Sequence, residues 1–234
     1  MLRLVADSMF TEPSPVLEPL TRHHRRWQML RFLHKAVTTS GSDDSITIGG
    51  PSTTIDAKGD GGSLTLNGEY DIATIEGART VLEDGANYTT ITDTGANTSI
   101  DLRGFGTTVT STGTSTTVDD GGGGNSITTS GSDDTITIGG PSTTIDDKGD
   151  GGSLTLNGEH DIATIEGAYT SLEDGANYTT ITDTGANTSI DLRGSGTTVT
   201  STGASTTVDD GGGGNSITTR PYVGNATFAS LSNA

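Results

Sequence analysis

The chain has 234 residues, of which 29% are hydrophobic, 4% aromatic and 35 are glycine; it has no cysteine and a net charge of −18. These values exclude disulfides and thiolate metal sites, and an acidic body repels nucleic acid and anionic membrane surfaces. Low hydrophobicity with high charge ordinarily leaves a chain disordered. The exception is a periodic β-fold, whose stacked rungs need only a thin stripe of Ile, Val and Leu.

Residues 1–36 carry six Lys/Arg against three Asp/Glu, a local charge of +3 beside −21 for the remainder. The opening Met1–Asp7 has a charge but no apolar run, so no cleavable secretory signal is expected. No stretch approaches the ~20 apolar residues of a membrane span. From Thr21 to His34, Trp27, Leu30 and Leu33 fall near helical spacing, with Leu20 and Phe32 beside them. Thr21 is a suitable N-cap, and Pro13, Pro15 and Pro19 precede it. The pattern predicts a short N-terminal capping helix over the first rung of a β-body. Its Arg22–Arg26 cluster is then held by attraction to an acidic body rather than by nucleic acid.

Residues 37–218 are repetitive at two scales. Residues 38–127 and 128–217 are copies of one block that differ at seven positions: Ser45/Thr135, Ala57/Asp147, Tyr70/His160, Arg79/Tyr169, Val81/Ser171, Phe105/Ser195 and Thr114/Ala204. Within the second block an aliphatic residue returns every nine positions, as Ile127, Ile136, Ile145 and Leu154 do, and Gly131, Gly140, Gly149 and Gly158 follow four residues behind. Ala163 is the weak member of the series, and one unit moves its glycine to Gly175.

The unit reads aliphatic-x-x-x-Gly-x-x-[Thr/Ser/Asp]-[Thr/Ser]. Strand alternation sends the aliphatic residue inward and its Thr or Ser neighbours outward. Thr, Val and Ile favour the strand, and glycine is expected to supply the turn conformations that other residues avoid. Two such units close a coil of about 18 residues. The fold class expected is all-β, a parallel β-solenoid or β-roll, with roughly ten coils and a length of about 48 Å at ~4.8 Å per rung. Residues 219–234 are expected to be an irregular C-terminal tail.

The nine-residue, Gly-rich, Asp-containing unit resembles the repeats-in-toxin (RTX) family and related bacterial β-strand-repeat proteins. The nearest match to that family's pattern is Asp120-Gly121-Gly122-Gly123-Gly124-Asn125-Ser126-Ile127, followed by Gly131-Ser132-Asp133-Asp134-Thr135-Ile136. The resemblance in period covers residues 37–218 and implies calcium as a cofactor in the turns of an exported protein. At the place of the family's Asp this chain has Asp44, Asp71, Asp134 and Asp161, while most other units carry Thr. If coils have 18 residues, Asp133 and Asp134 stack beside Asp146, Asp147 and Asp150, and Asp43, Asp44, Asp56 and Asp60 form the equivalent group. These nine carboxylates are the candidate metal ligands, calcium taking six to eight oxygens. Their alternative role is as solvated turn residues, partly neutralised by Lys58 and Lys148.

One outward face carries Thr90, Thr92, Thr108, Thr110, Thr128, Thr180, Thr182, Thr198, Thr200 and Thr218. Such Thr-x-Thr arrays resemble the ice-binding faces of β-solenoid antifreeze proteins. Thr is also simply a good exposed strand residue, and Asp56, Asp146, Ile72 and Ile162 interrupt the array. Three of the four histidines, His23, His24 and His34, lie in the basic N-terminal segment, and His160 replaces Tyr70 of the other block. No Ser/His/Asp set, phosphate loop or zinc spacing is present, so no enzyme is expected. The sequence therefore points to a structural or adhesive module, extracellular or at the cell surface. Calcium ions, a cell-surface ligand and end-to-end self-association into a fibre are the partners to consider, with ice binding as the alternative.

Overall fold

The structure, a computed structural model, describes residues 3–6, 28–30, 35–219 and 228–230. Four-residue strands recur every nine residues from Ser45–Ile48 to Ser216–Thr219, interrupted in length only by the five-residue Thr53–Ala57. Alternate strands belong to two parallel sheets, one of thirteen strands and one of eleven. Each strand pairs in register with the strand 18 residues away, as Thr110 does with Thr128 and Ile136 with Leu154. One coil is therefore 18 residues, two strands and two turns. The solenoid expected from the periodicity is the fold observed.

Period-two alternation divides each strand between core and solvent. In Ser153–Leu156 the pattern is exposed, buried, intermediate, buried, with Leu154 and Leu156 inward. Summed over the coils, one narrow core runs the length of the molecule, from Ile46 to Val208, with Val37 and Ile217 packed partly buried against its ends. Ile127, at the block boundary, is wholly buried.

The turns depart from the expectation in one respect. The glycines four residues behind the aliphatic column do not hold left-handed backbone; they allow close stacking. A Cβ on Gly140 would lie 1.1 Å from the carbonyl oxygen of Gly122, one coil earlier, and on Gly167 1.6 Å from that of Gly149. Where the sequence shifts its glycine to Gly85 or Gly175, Ala86 or Ala176 takes the stacking place.

The left-handed slot lies two residues further on. Every ninth residue from Asp43 to Gly214 has positive φ, and most of these residues are not glycine: Tyr70, Arg79, Tyr88, Asn97, Asp133, His160 and Tyr169 are among them. The reason is directional. A strand N–H donates to the preceding coil, as Ser63 does to the Asp44 carbonyl at 2.8 Å. At the left-handed residue the peptide is reversed, and Asp133 N–H donates forward to the Asp150 carbonyl at 2.9 Å. Axial hydrogen bonding therefore continues around the corner, which satisfies backbone groups the turn would otherwise bury unpaired.

Gln28–Leu30, inside the run expected to be helical, is a strand paired with Arg3–Ala6, which in turn pairs with Ser45–Ile48. The rest of the run lies outside the described residues, among which there is no helix. No helix among them is long and apolar enough to cross a membrane. Phe228–Ser230, in the segment expected to be irregular, pairs with Val208–Asp210 and extends the thirteen-stranded sheet by one strand.

Candidate functional site

Two unlike faces result from the register. On the eleven-stranded sheet, Thr90, Thr108 and Ser126 are consecutive partners in one outward column, and Thr92, Thr110 and Thr128 in the next. The second block repeats them as Thr180 beside Thr198 and Ser216, and Thr182 beside Thr200 and Thr218. All ten candidate threonines share this one sheet. Ile72 and Ile162, each about half exposed, sit in the first column, and Asp56 and Asp146 in the second. Lys58 neutralises Asp56 at 3.1 Å and reaches Glu76 at 3.5 Å; Lys148 does the same to Asp146 at 2.9 Å and Glu166 at 3.7 Å.

The thirteen-stranded sheet is the acidic one. Glu83, Asp101 and Asp119 are register partners, as are Glu173, Asp191 and Asp209. Arg103 pairs with Asp101, and Arg193 bridges Asp191 at 2.8 Å and Glu173 at 2.6 Å. These bridges are exposed, and such pairs contribute little.

The nine candidate metal ligands point in three directions. Asp134 and Asp147 are buried in the core, and Asp44 is half-buried. Asp56 and Asp146 face outward beside their lysines. Asp43, Asp60, Asp133 and Asp150 are exposed at a turn, where the Asp60 carboxylate accepts the Ala78 N–H at 2.9 Å and the Asp150 carboxylate that of Ala168 at 2.8 Å. Asp43 and Asp60 do stack, through the Asp43 N–H to the Asp60 carbonyl, and Asp133 and Asp150 likewise. Among the described residues no three carboxylate or imidazole side chains converge as a metal site.

The carboxylates that do organise something are ones the repeat pattern hides. The last residue of a strand points inward, and the column holds Leu102, Ile138 and Leu156 in some coils but Asp84, Asp120 and Asp174 in others. Asp120 accepts bonds from Gly122 N–H at 2.9 Å, the Asn125 amide at 2.7 Å and the Thr143 hydroxyl at 2.9 Å. In the opposite corner Asp93 is held by Gly95 N–H, Thr98, Ser111 and Thr116, and Asp183 by the equivalent set. Burial raises Asp84, Asp93, Asp120 and Asp174 above the usual carboxylate range, against the pull of these donors. The signal available in the sequence was Asp returning at multiples of 18 where strand alternation demands an inward side chain.

A third feature lies along one edge. Tyr70 stacks on Tyr88 with centroids 5.2 Å apart, and Tyr88 meets Phe105 edge-on at 5.1 Å; in the second block His160 stacks on Tyr178 at 5.2 Å. The rings of Tyr88 and Tyr178 lie over Gly106 and Gly196, where a Cβ would meet them within 3 Å.

Together these features define the chain as a two-sheet parallel β-solenoid with a threonine face, an acidic face and hydrogen-bonded carboxylates at its inner corners. No protein-family model, curated protein or solved structure matches it.

Proposed function

We propose that the chain is a structural rod, a length-setting repeat module of a surface or exported protein. The observation that carries this reading is the block boundary. Val109, Ile127 and Ile145 are successive register partners across it, with the same pairing as within either block. Ninety residues are an integral number of coils, so a block inserts without disturbing its neighbours. Six of the seven differences between the blocks fall on residues that are exposed or half-buried in both copies, and only Ala57/Asp147 is in the core. Small-angle scattering on versions with two and three blocks tests it: each block should add about 24 Å to the maximum dimension, five rungs at ~4.8 Å. A third block that leaves the length unchanged would refute the rod.

A second reading, ice binding, is favoured by the in-register threonine columns of the eleven-stranded sheet. Thermal hysteresis with ice shaping, lost on replacing Thr110 and Thr200 by Lys, is its expected signature; no hysteresis at millimolar protein would remove it. Neither reading draws on bound calcium.

A further inference from the structure

In the eleven-stranded sheet, the residue just before each strand from Ile72–Ile75 to Thr198–Ser201 is buried in the corner between the sheets. In most coils it is Thr, and its hydroxyl reaches a strand-end aspartate, as Thr107 reaches Asp84 at 3.1 Å and Thr197 reaches Asp174 at 2.8 Å. Asn125 fills the slot differently. Its Oδ1 accepts Thr107 N–H at 2.8 Å, and its Nδ2 donates to the Gly104 carbonyl at 3.2 Å as well as to Asp120.

Asp161 occupies the same slot in the second block and is wholly buried. Its Oδ1 accepts Thr143 N–H at 2.9 Å, as Asn125 does from Thr107. Its Oδ2 is buried with no hydrogen-bond partner. The strand-end residues at its register are Leu156 and Ile138, which offer no donor. Comparison with Asn125 locates the carbonyl nearest to Oδ2. A Cβ on Gly122 would lie 1.8 Å from Gly104 O and 3.1 Å from Asn125 Nδ2; on Gly158 it would lie 1.9 Å from Gly140 O and 2.9 Å from Asp161 Oδ2. Oδ2 therefore stands where the amide nitrogen stands, beside the carbonyl oxygen of the coil before. Two acceptors so placed repel unless one carries a proton.

We propose that Asp161 is a proton-operated clasp of the second block: as the neutral acid its O–H donates to the Gly140 carbonyl, and loss of that proton to solvent weakens the corner. The surroundings agree. Burial is the main cause that pushes the carboxyl up, to about 7; Thr143 N–H and, more weakly, Ser142 N–H oppose it, the latter already donating to the Glu159 carbonyl at 2.9 Å, and the Asp120 and Asp174 carboxylates push it further. Leu156, Ile138, Thr143 and Thr179 around it are uncharged, while Glu159 and His160 beside it in the turn are exposed. Asp134, in the opposite corner and also raised by burial, to about 6, adds in the same direction.

Linkage fixes the sign. A carboxyl raised in the folded state binds its proton there when the unfolded chain has released it, so its stabilisation is complete below about pH 4 and is lost as pH rises to about 7. Thermal unfolding between about pH 5 and pH 8 tests it, on the full chain, its Asp161→Asn variant and Asp119→Asn, which removes the same charge from the exposed acidic face. The wild type and Asp119→Asn should melt lower as pH rises. Asp161→Asn keeps a donor without titrating, and its curve should be flatter and lie above the wild type at the alkaline end. Up to about pH 7 the unfolding equilibrium of the wild type should rise by about tenfold per pH unit relative to that variant. An Asp161→Asn slope parallel to the wild type would overturn the proposal. Should that variant fail to fold, Asp161→Thr, the residue of most other coils, is read by the same criterion.

Discussion

At the scale of single residues, two columns in the turns are set by backbone geometry alone. The left-handed slot recurs every nine residues and asks only for positive φ, which costs a non-glycine residue about 1–2 kcal/mol. Tyr169 occupies it with φ of 61° and is 70% exposed. Tyr169→Gly is therefore expected to stabilise the protein by about 1 kcal/mol in denaturant unfolding. The stacking column behaves oppositely. Gly140→Ala drives a Cβ into the Gly122 carbonyl and is expected to destabilise by about 1–3 kcal/mol by the same measurement. The first column was illegible in the sequence because Asp, Ser, Asn, Tyr, Arg, His and Gly all fill it, so no residue type marks it. The second was plain as a glycine period, but spacing alone did not distinguish a turn conformation from a close approach.

At the scale of the coil, the residue that ends a strand decides how the inner corner treats a buried polar group. Where it is Asp, the side chain draws Thr, Ser or Asn from its own turn and the next; where it is Leu or Ile, as at Leu156 and Ile138, the corner gives the buried Asp161 no such side-chain partner. Thr143 has Asp120 as its hydroxyl partner, so Asp120→Leu leaves it unmade together with the Asn125 and Gly122 contacts to that carboxylate. A loss of about 1–3 kcal/mol is expected, and adding Thr143→Val should recover part of it; a double-variant loss equal to the sum of the two single losses would show that no coupling exists. The same geometry bears on calcium. The candidate aspartates diverge between core, sheet face and turn edge, so the melting temperature is expected to be the same in EDTA and in calcium. These carboxylates were legible as Asp-rich turns, and the resemblance in period suggested calcium. Their directions follow from strand alternation, which sends adjacent residues such as Asp146 and Asp147 to opposite sides of a strand; the resemblance in period drew them into one group instead.

At the scale of the molecule, the aliphatic period and the 90-residue duplication were enough to indicate a parallel solenoid of 18-residue coils and the separation of a threonine face from an acidic one. The ends were not. The helical spacing of Trp27, Leu30 and Leu33 competes with strand addition, and Gln28–Leu30 joins the thirteen-stranded sheet. That sheet runs two strands past Ser45–Ile48, whereas the eleven-stranded sheet ends at Lys35–Thr39. Disulfide trapping tests the coil most directly, since the chain has no cysteine of its own. Thr110 and Thr128 are 18 residues apart and are register partners, at a spacing that a disulfide spans. Thr110 and Asp119 are nine apart and face outward from opposite sheets. The Thr110→Cys/Thr128→Cys pair should close rapidly within the folded monomer, and Thr110→Cys/Asp119→Cys should not; the reverse result would contradict the 18-residue coil.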